Sequence, residues 1–333
     1  MSDIEPGRSR VTATLGRLAL AAPAEIATVT ALSGGVSADV FRVDLHGKPP
    51  VCVKFALERL RVAARWTAPL HRAAAEFEWF LFARPTAGAA VPEPLGYDAA
   101  GQAVVTRFLP PADFPVWKGE LLTGLVDPVF AGAAGAQLAA IHARSAFATD
   151  VAARFSNEKD FRRLRTDPYL RATARRHPNL LARLSSLADQ LDAARTALVH
   201  GDVSPKNILH GPAGPVFIDA ECATFGDPAF DIAFLLNHLA IKSALLRLPR
   251  ATLSMAAAAA WKAYAEGVTW EAVAAIETRV LDLVPALTLA RVDGMSPLGY
   301  LDEVERVRLR RLGRRLIASP PPGVEALLGA YAT

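Results

Sequence analysis

Cysteine is nearly absent from this sequence: Cys52 and Cys222 are the only two among 333 residues. Two thiols make no disulfide framework and cannot build a zinc cluster by themselves, so a reducing setting is expected, the cytoplasm by default. Long apolar runs are missing as well. The greasiest stretches, 18–24 and 255–261, are alanine-rich and far short of the roughly 20 residues that span a bilayer. The first carries small residues like those at secretory cleavage sites, but Asp3, Glu5 and Arg17 break the basic-then-apolar order, so no signal peptide is read. A strong excess of either charge is also lacking: 37 Lys and Arg against 33 Asp and Glu leave +4. The arginines crowded between 306 and 315 are interleaved with Val307, Leu309 and Leu312, which is the pattern of a solvated face on an amphipathic helix rather than a nucleic-acid patch. Neither a membrane nor a nucleic-acid partner is expected, and no internal repeat is visible. What remains is 52% hydrophobic and 21% charged. That is a globular profile, long enough for about two lobes whose core needs no staples.

Residues 27–56 alternate in the strand manner, with turns at Gly34-Gly35 and at 46–50, and predict three antiparallel strands. Ala74, Phe77, Phe80 and Leu81 recur at helical spacing and predict a helix over 71–83. Two more strands are expected near 95–97 and 103–108, and Pro110-Pro111 is the strongest boundary in the chain. Helices are expected over 121–145 and 180–197, then a small strand-rich insert at 198–221, then helices to the end. The expected class is α+β: a lobe over 1–109 with a five-stranded antiparallel sheet and a helix, followed by a larger, mainly helical lobe over 110–333.

The chemistry concentrates in His200-Gly201-Asp202-Val203-Ser204-Pro205-Lys206-Asn207, which follows the apolar strand Ala197-Leu198-Val199. Phosphoryl transfer needs a carboxylate to accept the proton of the attacking hydroxyl, and a side-chain oxygen to hold magnesium against the phosphates. One loop clamped between two strands can present both. Downstream, Phe217-Ile218-Asp219-Ala220-Glu221 is a second apolar strand ending in an acid, where a carboxylate can ligate a metal that bridges phosphate oxygens. Lys54 follows Val51-Cys52-Val53 on a strand, from which a lysine can reach the α- and β-phosphates as a point charge.

Together with Gly226-Asp227-Pro228-Ala229-Phe230-Asp231, these segments closely resemble the aminoglycoside phosphotransferase and choline kinase family, in order over roughly residues 30 to 300. The resemblance implies a protein-kinase-like fold of two lobes and ATP- and Mg2+-dependent phosphorylation of a hydroxyl on a metabolite of the sugar or amino-alcohol type. It implies Asp202 as catalytic base and Asn207 and Asp219 as magnesium ligands, with Glu221 placed to help a second metal. His200 would support the loop by packing and hydrogen bonding, and Asp231 would brace it from below. Lys54 would pair with a glutamate on the following helix; Glu76 is preferred to Glu78 because Phe77-Glu78-Trp79-Phe80-Leu81 matches best from that start.

The segment 32–41 resembles the family's nucleotide loop. Gly34 and Gly35 admit phosphates without Cβ interference. The loop lacks the third glycine of protein kinases, and the hydroxyls of Ser33 and Ser37 would stand in for its amide. Arg107, Phe108 and Leu109 sit where kinase-like hinges offer backbone groups to adenine. The stretch from Asp219 to Asp231 is too short for a peptide-cradling activation loop, which points to a small acceptor. Residues 227–238 are similar to the corresponding region of methylthioribose kinases, which makes Asp227 and His238 candidate acceptor residues, although His238 also reads as a satisfied interior histidine. Arg291 and Asp293 interrupt an apolar helix; either they pair with each other, or Arg291 reaches a substrate oxygen or a transferring phosphate and both belong to the acceptor site. Trp117, Trp261 and Trp270 read as core. Glu266, Glu271, Glu277 and Asp282 are offset by Lys242, Arg247, Arg250 and Lys262, which favours a neutral sugar or similar alcohol over a polycationic antibiotic. An aminoglycoside-type phosphotransferase and a nucleotide-binding pseudoenzyme stay open as alternatives.

Overall fold

Alternation with a period of two sets the first layer of the fold, seen in a computed structural model that describes residues 4–32, 37–61 and 66–333. Five strands, Ile26–Leu32 (β1), Ala38–Leu45 (β2), Lys48–Ala56 (β3), Pro94–Asp98 (β4) and Ala103–Arg107 (β5), form an antiparallel sheet in the order β1-β2-β3-β5-β4. Val51, Val53 and Phe55 of β3 share one face with Phe41, Val43 and Val105. Val11 and Leu15 of an N-terminal helix, Ile4–Arg17 (α1), pack over them. The sequence pattern predicts no helix there. The turn between β2 and β3 is tighter than the expected 46–50: Leu45 pairs with Lys48, Gly47 takes a φ of +67°, and both prolines lie within β3. The same alternation turns Lys54 to the opposite face of the central strand, between Val40 of β2 and Val104 of β5. The helix Arg72–Ala87 (α2) covers that face with Ala73, Glu76, Phe80 and Ala83 buried.

Past the double proline the chain is mainly helical: Trp117–Thr123 (α3), Pro128–Ser145 (α4), Thr149–Arg154 (α5) and Glu158–Phe161 (α6). The helix expected over 121–145 is in fact two, because Gly124 adopts a left-handed φ of +88° and Asp127 caps a new helix that opens on Pro128. A π-helical stretch, Arg162–Arg171, contains Pro168; Ala172–Arg176 (α7) and Leu181–Ala193 (α8) follow. The strand-rich insert comprises Ala197–Val199 (β6), Ile208–Gly211 (β7), Gly214–Phe217 (β8) and Thr224–Gly226 (β9), paired as two ribbons, β6 with β9 and β7 with β8. Pro228–Ser243 (α9), Arg250–Glu266 (α10), Val273–Asp293 (α11), Glu303–Ala318 (α12) and Val324–Ala332 (α13) complete the lobe.

Helix α9 is buried along its whole length. The alanine richness has a packing reason: α4 meets α10 so closely that a Cβ on Gly135 would lie 2.1 Å from the Ala260 carbonyl oxygen. Helix α12 is the expected amphipathic element. Leu309, Leu312 and Leu316 are buried, while Arg306, Arg308 and Arg310 reach the Leu298 carbonyl, the Ala244 carbonyl and the Asp293 carboxylate. Trp117 and Trp261 are buried, and Trp270 packs half-buried against the same core. Among the described residues no helix is long and apolar enough to cross a membrane. The architecture is a two-lobe one, an antiparallel sheet lobe joined to a mainly helical lobe.

Candidate active site

The two ribbons of the helical lobe deliver two loops, 200–207 and 218–223, side by side. The Ile218 N–H donates to the Asn207 carbonyl at 3.0 Å and so locks them together. The His200 ring lies against Ile218 O through Nε2 at 3.0 Å, while Nδ1 accepts from the Asp202 N–H at 3.2 Å. This arrangement needs a neutral ring, and burial, against the pull of Asp231 and Asp202, keeps the His200 pKa below the ordinary value. Trp79 meets the ring edge-on at 4.8 Å. Beneath the loop, Asp231 accepts the N–H groups of His200 at 2.6 Å and Gly201 at 2.9 Å, and lies 3.3 Å from His142 Nε2. Gly201 has a φ of +79°, and a Cβ there would meet the Cys222 carbonyl oxygen at 2.6 Å, so only glycine fits the turn.

Asp202 is asymmetric. Its Oδ2 takes Arg165 Nη2 at 3.0 Å, Lys206 Nζ at 2.9 Å and Asn207 Nδ2 at 2.8 Å. Its Oδ1 has no donor among the described residues. Burial favours the acid form, but Arg165 and Lys206 outweigh it and hold the carboxyl below its usual range. The Asn207 amide nitrogen also donates to Asp202 O at 3.0 Å, so of the two amide atoms only the oxygen could hold a cation. Asp219 adopts a left-handed φ of +67°, a conformation unusual for a non-glycine residue and concentrated at functional sites. Its Oδ1 pairs with Lys54 and its Oδ2 lies 3.8 Å from Lys206. Although burial opposes ionisation, these two ammonium groups keep Asp219 well below the ordinary carboxylate range. Lys54 also donates to Glu76 Oε2 at 2.7 Å. Burial works against its charge, yet Asp219 and Glu76 hold its pKa well above that of a free lysine. Burial pushes Glu76 up to about 7, with Lys54 opposing and Asp219 adding. Glu78 pairs instead with Arg154, partly exposed.

The remaining candidates separate. Glu221 gives Oε2 to Arg72 Nε at 3.0 Å. Arg72 is fully buried and donates as well to Ser37 O at 2.6 Å and Leu57 O at 2.7 Å. Ser37 thus serves through its carbonyl. Ser33, Gly34 and Gly35 lie outside the described residues. Of the residues expected at the hinge, Arg107 and Phe108 spend their N–H groups on Glu93 O at 2.9 Å and Pro50 O at 3.2 Å, and among the described residues the Leu109 N–H has no backbone partner. Asp227 caps α9 through the Ala229 N–H at 2.9 Å and pairs with Arg279 at 3.0 Å. Arg291 and Asp293 do not pair with each other. Asp293 takes His177 at 2.9 Å and Arg310 at 2.8 Å, while Arg291 Nη1 donates to Tyr169 Oη at 2.9 Å and Ser296 O at 2.7 Å. His238 is interior, as one reading expected, but its Nε2 is buried with no partner among the described residues.

Sequence reasoning gave no role to Lys206, although it adjoins Asn207 in the motif, nor to Arg165 and Arg72, whose partners lie far along the chain. Among the described residues no group of three or more His, Cys, Asp or Glu side chains forms a metal cage. One carboxylate and one amide oxygen suit a hard cation such as Mg2+, which takes one or two protein oxygens and completes its octahedron with phosphates and water; the two ammonium groups on Asp219 mark that carboxylate as a cation-seeking position.

A family model described as "Phosphotransferase enzyme family" (APH) matches residues 28–276. No curated protein matches significantly. Among solved structures, a protein described as a fructosamine-3-kinase from Thermobifida fusca YX-ER1 is 24% identical, with a TM-score of 0.55, covering 94% of this chain and 98% of that one. A choline/ethanolamine kinase family protein from Mesorhizobium loti is 17% identical, with a TM-score of 0.55 and 98% of each chain covered. Amicoumacin kinase hAmiN, in complex with AMP-PNP, Ca2+ and Ami, is 16% identical, with a TM-score of 0.60 and coverage of 98% of this chain and 100% of that one. At these identities the likeness speaks for the shared fold.

Proposed function

The chain belongs to the phosphotransferase enzyme family, and from that premise we propose that it moves the γ-phosphoryl group of ATP onto a hydroxyl of a small metabolite. The observation that carries this reading is the division of labour on Asp202: three donors gather on Oδ2 while Oδ1 has none among the described residues. That open oxygen is the one to receive the acceptor's O–H, orient it and take its proton as the bond to phosphorus forms. Arg165 and Lys206 keep the carboxylate ionised at neutral pH.

Residues 1–109 form the nucleotide side of the cleft in this proposal, with Lys54, held by Glu76, on the α- and β-phosphates and the backbone of Leu109 against the base. Residues 110–333 supply the reacting side. Asn207 and Asp219 would hold magnesium, which when bound neutralises charge on the phosphate oxygens. Lys206 stands between Asp202 and Asp219, along the path of the transferring group, and its partly exposed ammonium stabilises the charge that spreads there. The protein's work is thus positioning and electrostatics.

A metabolite screen with ATP, magnesium and mass detection of products identifies the acceptor. Asp202→Asn is then expected to bind AMP-PNP like the parent and to lose at least ~100-fold in turnover, the scale of general-base groups. Near-normal turnover in that variant would move the base elsewhere, and a parent protein that binds nucleotide but transfers nothing across the panel would reduce the chain to a nucleotide-binding module.

A further inference from the structure

Beside Asp202, the helical lobe gathers positive charge that, among the described residues, meets no counter-charge. Lys242 of α9 is 1% exposed. Its Nζ finds the His238 carbonyl at 3.2 Å and Tyr300 Oη at 3.4 Å. Lys118 of α3 lies 5.7 Å from the centroid of the same Tyr300 ring. Arg291 of α11 spends Nη1 on Tyr169 and Ser296, but among the described residues its buried Nε has no partner, nor has His238 Nε2. Among the described residues no carboxylate lies within ion-pair distance of Lys118, Lys242 or Arg291.

The neighbouring buried charges of this lobe are treated differently. Arg165 has Asp202, Asp227 has Arg279, and Asp293 has both His177 and Arg310. A buried ion without a partner is costly, and the cost is visible here. Burial, reinforced by Lys118 and Arg291, brings Lys242 down to about 7, and burial with Arg291 and Lys242 holds His238 well below its ordinary value. The cluster also adjoins the reacting carboxylate. Arg165, which holds Asp202, and Arg291 stack on one ring, Tyr169, at 5.8 and 5.5 Å. Phe234 lies 6.0 Å from the Arg165 guanidinium and 5.2 Å from the His238 ring.

We propose that the acceptor is a hydroxylated anion, whose carboxylate or phosphate group is bound by Lys118, Lys242, Arg291 and His238 while its hydroxyl meets Asp202. This rests on the phosphotransferase reading above, and it replaces the expected neutral sugar or amino-alcohol, because an acceptor ammonium would meet like charge. The missing negative charge belongs to the ligand, and its arrival gives Lys242 and the orphaned nitrogens their partners.

The test uses the full chain saturated with AMP-PNP and magnesium, so that the nucleotide side is occupied. Thermal midpoints are followed with malonate, inorganic phosphate, choline or kanamycin, against chloride at equal ionic strength. Malonate or phosphate is expected to raise the midpoint above the chloride control, and whichever of the two acts tells a carboxylate from a phosphate site. Choline and kanamycin are expected to do nothing. Lys242→Met, Lys118→Met and Arg291→Gln should each weaken the effective anion about tenfold, the scale of one charge-assisted hydrogen bond. Lys118 is only half-buried, so its variant reports on binding even where a core variant fails to fold. No shift with either anion, a shift with the cations, or variants that respond like the parent would overturn the proposal. Absence of any midpoint shift on adding AMP-PNP alone would instead count against the phosphotransferase reading and leave the anion result standing by itself.

Discussion

Lys242 is a lysine kept where a methionine of similar length would pack without electrostatic cost. Its pKa falls from the ordinary 10.5 to about 7 through burial, with Lys118 and Arg291 adding to the effect. Between those two values the unfolded chain binds a proton there that the native chain does not, so this group makes stability rise with pH across that window, by up to about 1.4 kcal/mol per pH unit. Lys242→Met removes the dependence. In urea titrations without anions the variant is expected to be the more stable protein at pH 7, and its advantage to shrink towards pH 9; an advantage that is constant with pH would mean the ammonium is already paired. Lys54 is the opposite case, since Asp219 and Glu76 outweigh its burial. Lys54→Met leaves the buried Glu76 and the half-buried Asp219 without the ammonium that bridges them. It is therefore expected to weaken AMP-PNP binding in calorimetry by about tenfold or more, as removal of charge-assisted bonds does.

Elements in this fold are set as much by small residues as by large ones. At Gly135 on α4, the Ala260 carbonyl of α10 already occupies the space a Cβ would need. Gly135→Ala must push the helices apart, at an expected cost of about 1–3 kcal/mol. Gly119 in α3 has nothing within 4 Å of its would-be Cβ, so Gly119→Ala is expected to gain about 0.5–1 kcal/mol from helix propensity alone. Chemical denaturation of the two variants checks the contrast, and equal effects would show that the α4–α10 contact is not tight. The same economy appears in the loop 200–207, where Gly201 passes under Cys222 and thereby lets Asp231 reach two successive backbone N–H groups.

At the scale of the whole molecule, ion pairs cross between the sheet lobe and the helical lobe. Arg72, at the start of the sheet lobe's helix α2, bonds Glu221 beside the candidate metal acid, and Lys54 bonds Asp219 itself. Arg72→Met strands Glu221 as a buried carboxylate without its ion-pair partner, which is expected to cost about 3–5 kcal/mol. Adding Glu221→Gln should recover much of that loss, because the stranded charge is then gone. A double-mutant cycle in urea reads the coupling, and additive losses would deny the tie between the lobes.

Much of this was legible along the chain. The alternation of Val51, Val53 and Phe55 dictated both the sheet and the face on which Lys54 stands, since side chains of a strand can only alternate. The loop 200–207 and the acid Asp219 could be read because each lies in one short, continuous segment, although the strand expected to run on to Asp219 stops at Phe217. The match of residues 77–81 was enough to favour Glu76 over Glu78. The tertiary structure alone brought Arg165 to Asp202 and Arg72 to Glu221, broke the supposed pairing of Arg291 with Asp293, and gathered Lys118, His238, Lys242 and Arg291 with no acid in ion-pair reach of the cations among the described residues. The physical reason is separation along the chain. A contact between distant segments leaves no periodicity or spacing to read, and whether a charge has a counter-charge is fixed only when helices from distant segments pack together.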